Sequence, residues 1–427
     1  MSRKIFRYFI SKRLIEGFIV ALCGSVWLYM SSVSWYFEPL FILCGFISLW
    51  ILIGSKDSAV WFWSGFFIAI FWFWWIGKSF EYYGISQAMP IAIVGIGIIY
   101  GLLFFVPVYI VQKVLDRFDF KYIKFIEYIL KALYIYLIAY IHPFGFDWFK
   151  PQLMFVYTPL NTDDIGFISI LLAIVILQLP KLYKLLVVIP LLYAYQPLKP
   201  DILSPDSYKD IYIVSTNIPL EQKWSGRYNI DYINFALTKT QKAIDEGKKL
   251  IIFPESFLPI FLNRNKETTA KFLKLSDDIA IVIGALYDDK GINRNSAYLF
   301  NKRGITVANK VVLVPFGEQN PLPKWLGEIV NQIFFDGATD YEPAKRVTDF
   351  VIDNKRYRSA ICYEGTSQKL YEDNPKYMIV ITNNSWFTPS IEPALQKALL
   401  LYYSNRYKTT IFHSINGSPS YIIKPHI

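Results

Sequence analysis

A chain of 427 residues that is 54% hydrophobic and 18% aromatic, with only 18% charged residues, is not soluble throughout, because soluble chains carry about 25% charged residues. The formal net charge of +10 would suit nucleic acid, but the basic residues sort by side of a membrane, and no nucleic-acid partner is expected. Cys23, Cys44 and Cys362, with His142, His413 and His426, show neither metal-ligand spacing nor a disulfide framework, so neither a metal site nor a cofactor is expected.

The apolar excess lies before residue 197. Runs near 14–31, 36–53, 59–76, 90–111, 125–141, 165–179 and 183–197 approach the ~20 residues that cross a bilayer. The last two are short and parted only around Pro180 and Lys181, which leaves one broken helix or a hairpin open. The first run is not a cleavable signal peptide, since further spans follow and no small-residue cleavage site is evident. Arg3, Lys4, Arg7, Lys12 and Arg13, then Lys56, then Lys113, Arg117, Lys121 and Lys124, then Lys181 and Lys184 occupy alternate connections; the opposite ones hold only Lys78 and Lys150. By the positive-inside rule, seven spans start in the cytoplasm and leave everything after 197 on the outer face. Two outer loops are aromatic: 142–164, which opens His142-Pro-Phe-Gly-Phe-Asp-Trp-Phe-Lys-Pro151, and Phe80–Gly84. They read either as an interfacial belt or as the lining of an access route for lipid. Within the spans, Lys131 lies one turn beyond Glu127 and is placed to pair with it.

Residues 198–208, rich in Pro, Asp and Ser, read as a linker. From 209 to 427 the composition is that of a globular domain. Strands are predicted at 211–216, 249–253, 279–286, 296–301, 305–314, 347–352, 357–362 and 377–382, and helices at 229–246 and 392–406. Near-continuously apolar strands between amphipathic helices predict a sheet covered by helices. A long excursion over about 315–345 carries Trp325, Leu326, Ile329, Ile333 and Phe334 at helical spacing. Packed on its own domain it would be core; facing the bilayer it would be a lid, the reading we prefer for so long an insertion.

Three segments place a residue of catalytic type at or beside a strand: Phe253-Pro-Glu255-Ser256, Lys310 leading to Val314-Pro-Phe-Gly-Glu318, and Arg358-Ser-Ala-Ile-Cys362-Tyr-Glu-Gly365. A carboxylate, an ammonium and a thiol suffice for acyl transfer: the carboxylate takes the thiol proton, the thiolate attacks a carbonyl, and the cation holds the oxyanion. Singly, each residue type is more often structural or solvated.

In that order Glu255, Lys310 and Cys362 resemble the Glu-Lys-Cys triad of the nitrilase superfamily. With the multi-span first half, with Asn217-Ile-Pro219 leading to Trp224, and with Asn384-Ser-Trp386-Phe387 and Asn416-Gly417-Ser418, the layout resembles the apolipoprotein N-acyltransferase family over essentially the whole chain. The resemblance implies a membrane α-helical bundle plus an α/β domain, a nitrilase-like αββα sandwich. It implies Glu255 as general base, Lys310 as oxyanion cation and Cys362 as acyl-carrying nucleophile. Glu318, Tyr363, Glu364 and Trp224 match positions needed for activity, and Asn384 and Trp386 match supporting or substrate-binding ones. The implied reaction moves an acyl chain from the sn-1 ester of a phospholipid, through a cysteine thioester, to the N-terminal amine of a diacylated lipoprotein. It is placed at the outer face of a bacterial inner membrane, in the periplasm. Two departures accompany the match. The family is expected to continue past the Asn-Gly segment to a final membrane helix, whereas this chain stops at Ile427; and its Gln-His step is replaced by Leu395-Gln396-Lys397. The runner-up reading is a membrane-anchored amidase or nitrilase with water as acceptor, and the non-enzymatic one a transporter or scaffold.

Overall fold

The computed structural model describes residues 12–31, 37–82, 84, 86–315, 317–319 and 341–426. Contacts divide it into two compact units, Met1–Lys199 with Ser390–Ala398, and Pro200–Pro389 with Leu399–Ile427.

The first unit is helical. Helices α1 (Lys12–Met30), α2 (Glu38–Gly54), α3 (Ser58–Phe73), α4 (Met89–Leu115), α5 (Ile123–Leu137) and α6 (Asp164–Leu177) follow the first six apolar runs. Lys12–Met30, Ser58–Glu81 and Ser86–Leu115 are long and apolar enough to cross a membrane; Glu38–Gly54 and Asp164–Leu177 are apolar but shorter. Asp57 caps α3 by accepting the Ala59 N–H, and Arg13 pairs with the same carboxylate. Gly65 allows α3 to lie against α4, since a Cβ there would come within 2.5 Å of the Tyr100 carbonyl oxygen. Glu127 and Lys131 do meet, at 2.6 Å, and the buried ammonium also donates to the Ser55 carbonyl at 2.6 Å. Leu22, Ile91, Leu133 and Leu172 remain exposed on this unit, as lipid-facing side chains are.

The seventh run is not one helix. After Pro180 a 3-10 stretch, Lys181–Val187, leads into the short α7 (Val188–Ala194). The Asn161 N–H donates to the Ala194 carbonyl at 2.7 Å, joining the start of α6 to the end of α7, so these two runs form a hairpin. Segment 142–164 turns inward. Trp148, Phe149 and Leu153 to Phe155 are buried, and Phe149 packs on Trp72, Tyr100 and Phe104. Residues 147–156 of that loop are therefore core of its unit, while His142, Phe144 and Gly145 at its start remain exposed.

The second unit is a sandwich. Its strands are β1 (Asp201–Leu203), β2 (Ile211–Ile213), β3 (Leu250–Ile252), β4 (Leu258–Phe261), β5 (Ala280–Asp289), β6 (Ile292–Asn301), β7 (Gly304–Asn309), β8 (Asp349–Ile352), β9 (Lys355–Ile361), β10 (Tyr377–Asn383), β11 (Thr410–Asn416) and β12 (Tyr421–Lys424). One sheet runs β2-β3-β5-β6-β7 with β4 also on β5, and the other β1-β12-β11-β10-β9-β8. Each has a parallel centre, β2-β3-β5 and β9-β10-β11. Side-chain alternation explains why these strands are apolar on both faces. Leu250, Ile252 and Val282 point between the sheets to join Ile361, Ile379, Ile381 and Phe412. Ile251, Ile281 and Ile283 point the other way, towards Ala236 and Ala243 of α9 (Asn229–Asp245) and Phe272 of α10 (Lys266–Leu275); the short α8 (Leu220–Trp224) precedes them. Each fully buried aliphatic side chain of this kind contributes about 1.5–3 kcal/mol. In α11 (Glu392–Tyr407), Tyr403 stacks on Tyr371 with ring centroids 4.8 Å apart.

Several boundaries differ from the sequence reading. The stretch 198–208 is more than a linker, because β1 lies in it and pairs antiparallel with β12, Ile202 opposite Ile423. The strand expected at 305–314 stops at Asn309, leaving Lys310 just past its end, and that expected at 211–216 stops at Ile213. β4, α10, β11 and β12 have no counterpart among the predicted elements. Of the lid expected over about 315–345, residues 316 and 320–340, including the stripe from Trp325 to Phe334, lie outside the described residues.

Candidate active site

Glu255 stands three residues beyond β3, on a turn whose next residue, Ser256, has φ +42°. Gly284 on β5 makes room for that turn. A Cβ at this position would lie 2.4 Å from the Ser256 nitrogen and 2.6 Å from the Pro254 carbonyl oxygen, both rigid backbone atoms. The Glu255 carboxylate is buried and fully engaged: Oε1 accepts from Asn295 Nδ2 at 2.8 Å and Oε2 from the Asn383 N–H at 2.8 Å. Burial raises its pKa, with the Lys310 ammonium opposing the rise. A base held in this way takes up a proton more readily than a solvated carboxylate and can return it.

Lys310 follows β7 and is 2% exposed. Its ammonium lies 2.7 Å from Glu318 Oε2 and 4.0 Å from Glu255 Oε1. Burial works against the charge, but Glu318, Glu255 and Cys362 outweigh it and hold the pKa above the ordinary lysine value. Lys310 is thus a fixed cation. Glu318 is itself oriented by the Val314 N–H at 3.0 Å, and Asn295 Nδ2 reaches its Oε1 at 3.3 Å, so one amide bridges both carboxylates.

Cys362 ends β9 and opens the 3-10 turn Cys362–Thr366 with φ +54°, a left-handed conformation that costs a non-glycine residue energy. Such a turn lifts a side chain out of the sheet. Glu364, two residues on, holds it: Oε1 accepts the Ile361 N–H at 2.8 Å, while Oε2 accepts the Val311 N–H at 2.7 Å and the Val312 N–H at 3.2 Å. Burial pushes the Glu364 carboxyl up to about 7, against the pull of Lys310 and the three N–H donors. The turn that bears the thiol and the segment that bears the lysine are therefore tied through one side chain. Tyr363 between them is buried.

Of the residues singled out by sequence, Glu255, Lys310, Cys362, Glu318 and Glu364 come together. Asn384 lies one step from the Glu255 contact, which Asn383 makes instead; Asn384 Nδ2 donates to Ser418 Oγ at 3.0 Å and Trp386 closes the same 3-10 turn. Trp224, 40% exposed at the end of α8, has no hydrogen bond to the triad among the described residues. Its neighbour does approach the site: Lys223 Nζ donates to the Glu255 carbonyl oxygen at 2.8 Å. Asn416 organises the surroundings. Its Oδ1 accepts from Thr216 Oγ1 at 2.7 Å and the Ile218 N–H at 2.8 Å, and its Nδ2 reaches Asn383 Oδ1 and Ser385 Oγ, each at 2.7 Å. The roles of Lys223, Asn295, Asn383 and Gly284 were missed by sequence reasoning. Asn295 sits in an unremarked polar run, and only the adjacency of Lys223 to Trp224 hinted at it.

Both halves of the chain have counterparts. The apolipoprotein N-acyltransferase integral membrane domain matches residues 11–197, and the carbon-nitrogen hydrolase family matches residues 221–404. The chain is 39% identical over 366 residues to an apolipoprotein N-acyltransferase of Wolinella succinogenes, covering 84% of each chain. It is 37% identical over 369 residues to that of Helicobacter pylori, covering 85% of this chain and 83% of the relative. It is 32% identical over 424 residues to that of Campylobacter jejuni, covering 97% and 90%.

Proposed function

Since the chain belongs to the apolipoprotein N-acyltransferase family, we propose that Cys362 ferries the acyl group in its reaction, with Glu255 as base and Lys310 as the cation at the oxyanion. The protein is an integral membrane acyltransferase of the last step of lipoprotein maturation, with a nitrilase-like α/β domain.

In the proposed first half-reaction Glu255 takes the Cys362 thiol proton and the thiolate adds to the sn-1 ester carbonyl of a phospholipid. The negative charge on the carbonyl oxygen is met by Lys310. The acyl–oxygen bond breaks, the alkoxide of the lysophospholipid receives the proton from Glu255, and a thioester remains on Cys362. In the second half-reaction the α-amine of a diacylglyceryl-cysteine adds to the thioester, giving its proton to Glu255. The carbon–sulfur bond then breaks, and the thiolate recovers that proton. Thioesters suit both halves, being made by a thiolate and opened readily by an amine. Glu318 and Glu364 act by fixing Lys310 and the cysteine turn. Tyr363, Trp224, Asn384 and Trp386 are assigned to the substrate-binding surroundings, and 315–345 to a lid.

One observation supports this assignment above others. A buried carboxylate and a buried ammonium 4.0 Å apart sit with a thiol close enough to act on the ammonium, each on a separate strand end. The membrane unit gives a reason for lipid substrates rather than a water-soluble amide. The basic residues of alternate connections favour residues 1–197 as a multi-span domain in the inner membrane and 209–427 as a periplasmic catalytic domain. Reporter fusions after residue 208 test that placement, and an intracellular signal would refute it.

The chemistry is tested by incubating the purified protein with labelled phospholipid. A hydroxylamine-sensitive label on Cys362 is expected, absent from Cys362→Ala and discharged to the amine of a diacylated lipopeptide. Equal labelling of Cys362→Ala would sink the assignment. Discharge to water alone, with lipopeptide present, would make the protein a hydrolase.

A further inference from the structure

Lys223 is a second buried cation beside the proposed nucleophile and base. It lies on α8, 1% exposed, and among the described residues its one hydrogen bond is to the main-chain carbonyl of Glu255 at 2.8 Å. An ammonium without a paired carboxylate is an expensive thing to bury, and an apolar side chain of the same length would fill the space at less cost. Stability is therefore a poor reason for its presence. The charged groups that act on it are Glu255 and Cys362. Beyond them stand Lys310 and Glu318, with Glu364 behind the cysteine turn.

We propose that Lys223 is a positioning residue of the acyl transfer: it tethers the turn that carries Glu255 and, while charged, favours the Cys362 thiolate in both half-reactions. The inference rests on the assignment of Cys362 and Glu255 given above. It divides the work between two lysines. Lys310, clamped by Glu318, keeps its charge throughout. Lys223 has no such clamp; burial pulls its pKa down to about 8, with Glu255 and Cys362 resisting. Its charge is present below that value and fades as pH rises through it, so its contribution to the thiolate fades likewise.

The test is the rate of thioester formation on the full-length protein in detergent, measured against pH for the wild type, Lys223→Met and Lys223→Arg. Losing one nearby charge is expected to slow Lys223→Met about tenfold near neutral pH, the equivalent of roughly one pKa unit. The ratio of wild-type to Lys223→Met rates should then shrink towards one as pH passes about 8. Lys223→Arg, whose charge does not titrate in this range, should hold its rate above that point. A ratio that is the same at every pH would mean that Lys223 only props up the fold, and would overturn the proposal. No thioester in any of the three chains would overturn the proposal and the assignment beneath it together. If the variants do not fold, labelling of wild-type Cys362 by iodoacetamide, located by peptide mass, carries the test. Two ionisations, one near 8, support the proposal, and a single one overturns it.

Discussion

The Val311 N–H donates to Glu364 Oε2 at 2.7 Å, so the carboxylate that follows the thiol by two positions grips the main chain that follows the lysine by one. Three N–H donors meet on that carboxylate, and an amide cannot replace it, because its NH2 would face donors. Glu364→Gln is expected to weaken acyl-enzyme formation at least about tenfold, in keeping with the ~1–3 kcal/mol of an unsatisfied buried group. Labelling of Cys362 measures it, and an undiminished label would mean that the turn holds without Glu364.

Asn295 bridges Glu255 and Glu318 with one amide nitrogen, at 2.8 and 3.3 Å. Asn295→Asp would put a third carboxylate where a donor belongs. We expect the thioester yield to fall more for Asn295→Asp than for Asn295→Ala, by roughly tenfold or more, since repulsion adds to the lost donor. Equal yields would show that the bridge has no electrostatic role.

Gly284→Ala tests the turn under Glu255. The added methyl meets backbone at 2.4 Å, which no rotamer change relieves. Thioester formation should drop, with a stability loss on the order of 1–3 kcal/mol as for other overpacked sites, read by thermal melts. Unchanged labelling would show that the Glu255 turn moves aside freely.

His413 gives a pH prediction for the second unit. It is fully buried, shares a 2.7 Å hydrogen bond with Thr382 Oγ1, and burial lowers its pKa from 6.5 to about 3. Between those values the unfolded chain holds a proton that the folded one refuses, so its contribution to stability declines as pH falls below 6.5. The slope is about 1.4 kcal/mol per pH unit. Thermal melts of the wild type and His413→Gln should diverge across that window, the variant losing less on acidification; parallel curves would contradict it.

The sequence disclosed what is locally written. Runs such as Met378 to Ile381 and Leu250 to Ile252 announce buried strands, and a thiol after Ile361 or a carboxylate after Phe253-Pro254 stands out against them. Elements whose reasons lie far along the chain were not legible. β11 contains His413 and Ser414, which look unsuited to a core until Thr382 and the Val214 carbonyl appear opposite them, the latter at 2.7 Å from Ser414 Oγ. Asn295 resembles any polar residue in a strand, and Lys223 any lysine on a short helix, until the Glu255 turn is placed beside each. In the first unit, Pro180 signalled a break but not the 3-10 path after it, nor the return that brings Ala194 to Asn161.

The pairing of β1 with β12 carries a consequence for how the protein is made. The strand that enters the second unit first finds its partner in the last strand described, so it emerges during synthesis long before anything can pair with it. β12 in turn reaches β9, the strand that leads into Cys362, only through β11 and β10. That edge of the sandwich stays open until β12 has been made, exposing unpaired backbone to neighbouring chains meanwhile. Asp201 and Lys424 face each other where the seam closes, a charged margin of the kind that discourages association with the wrong strand.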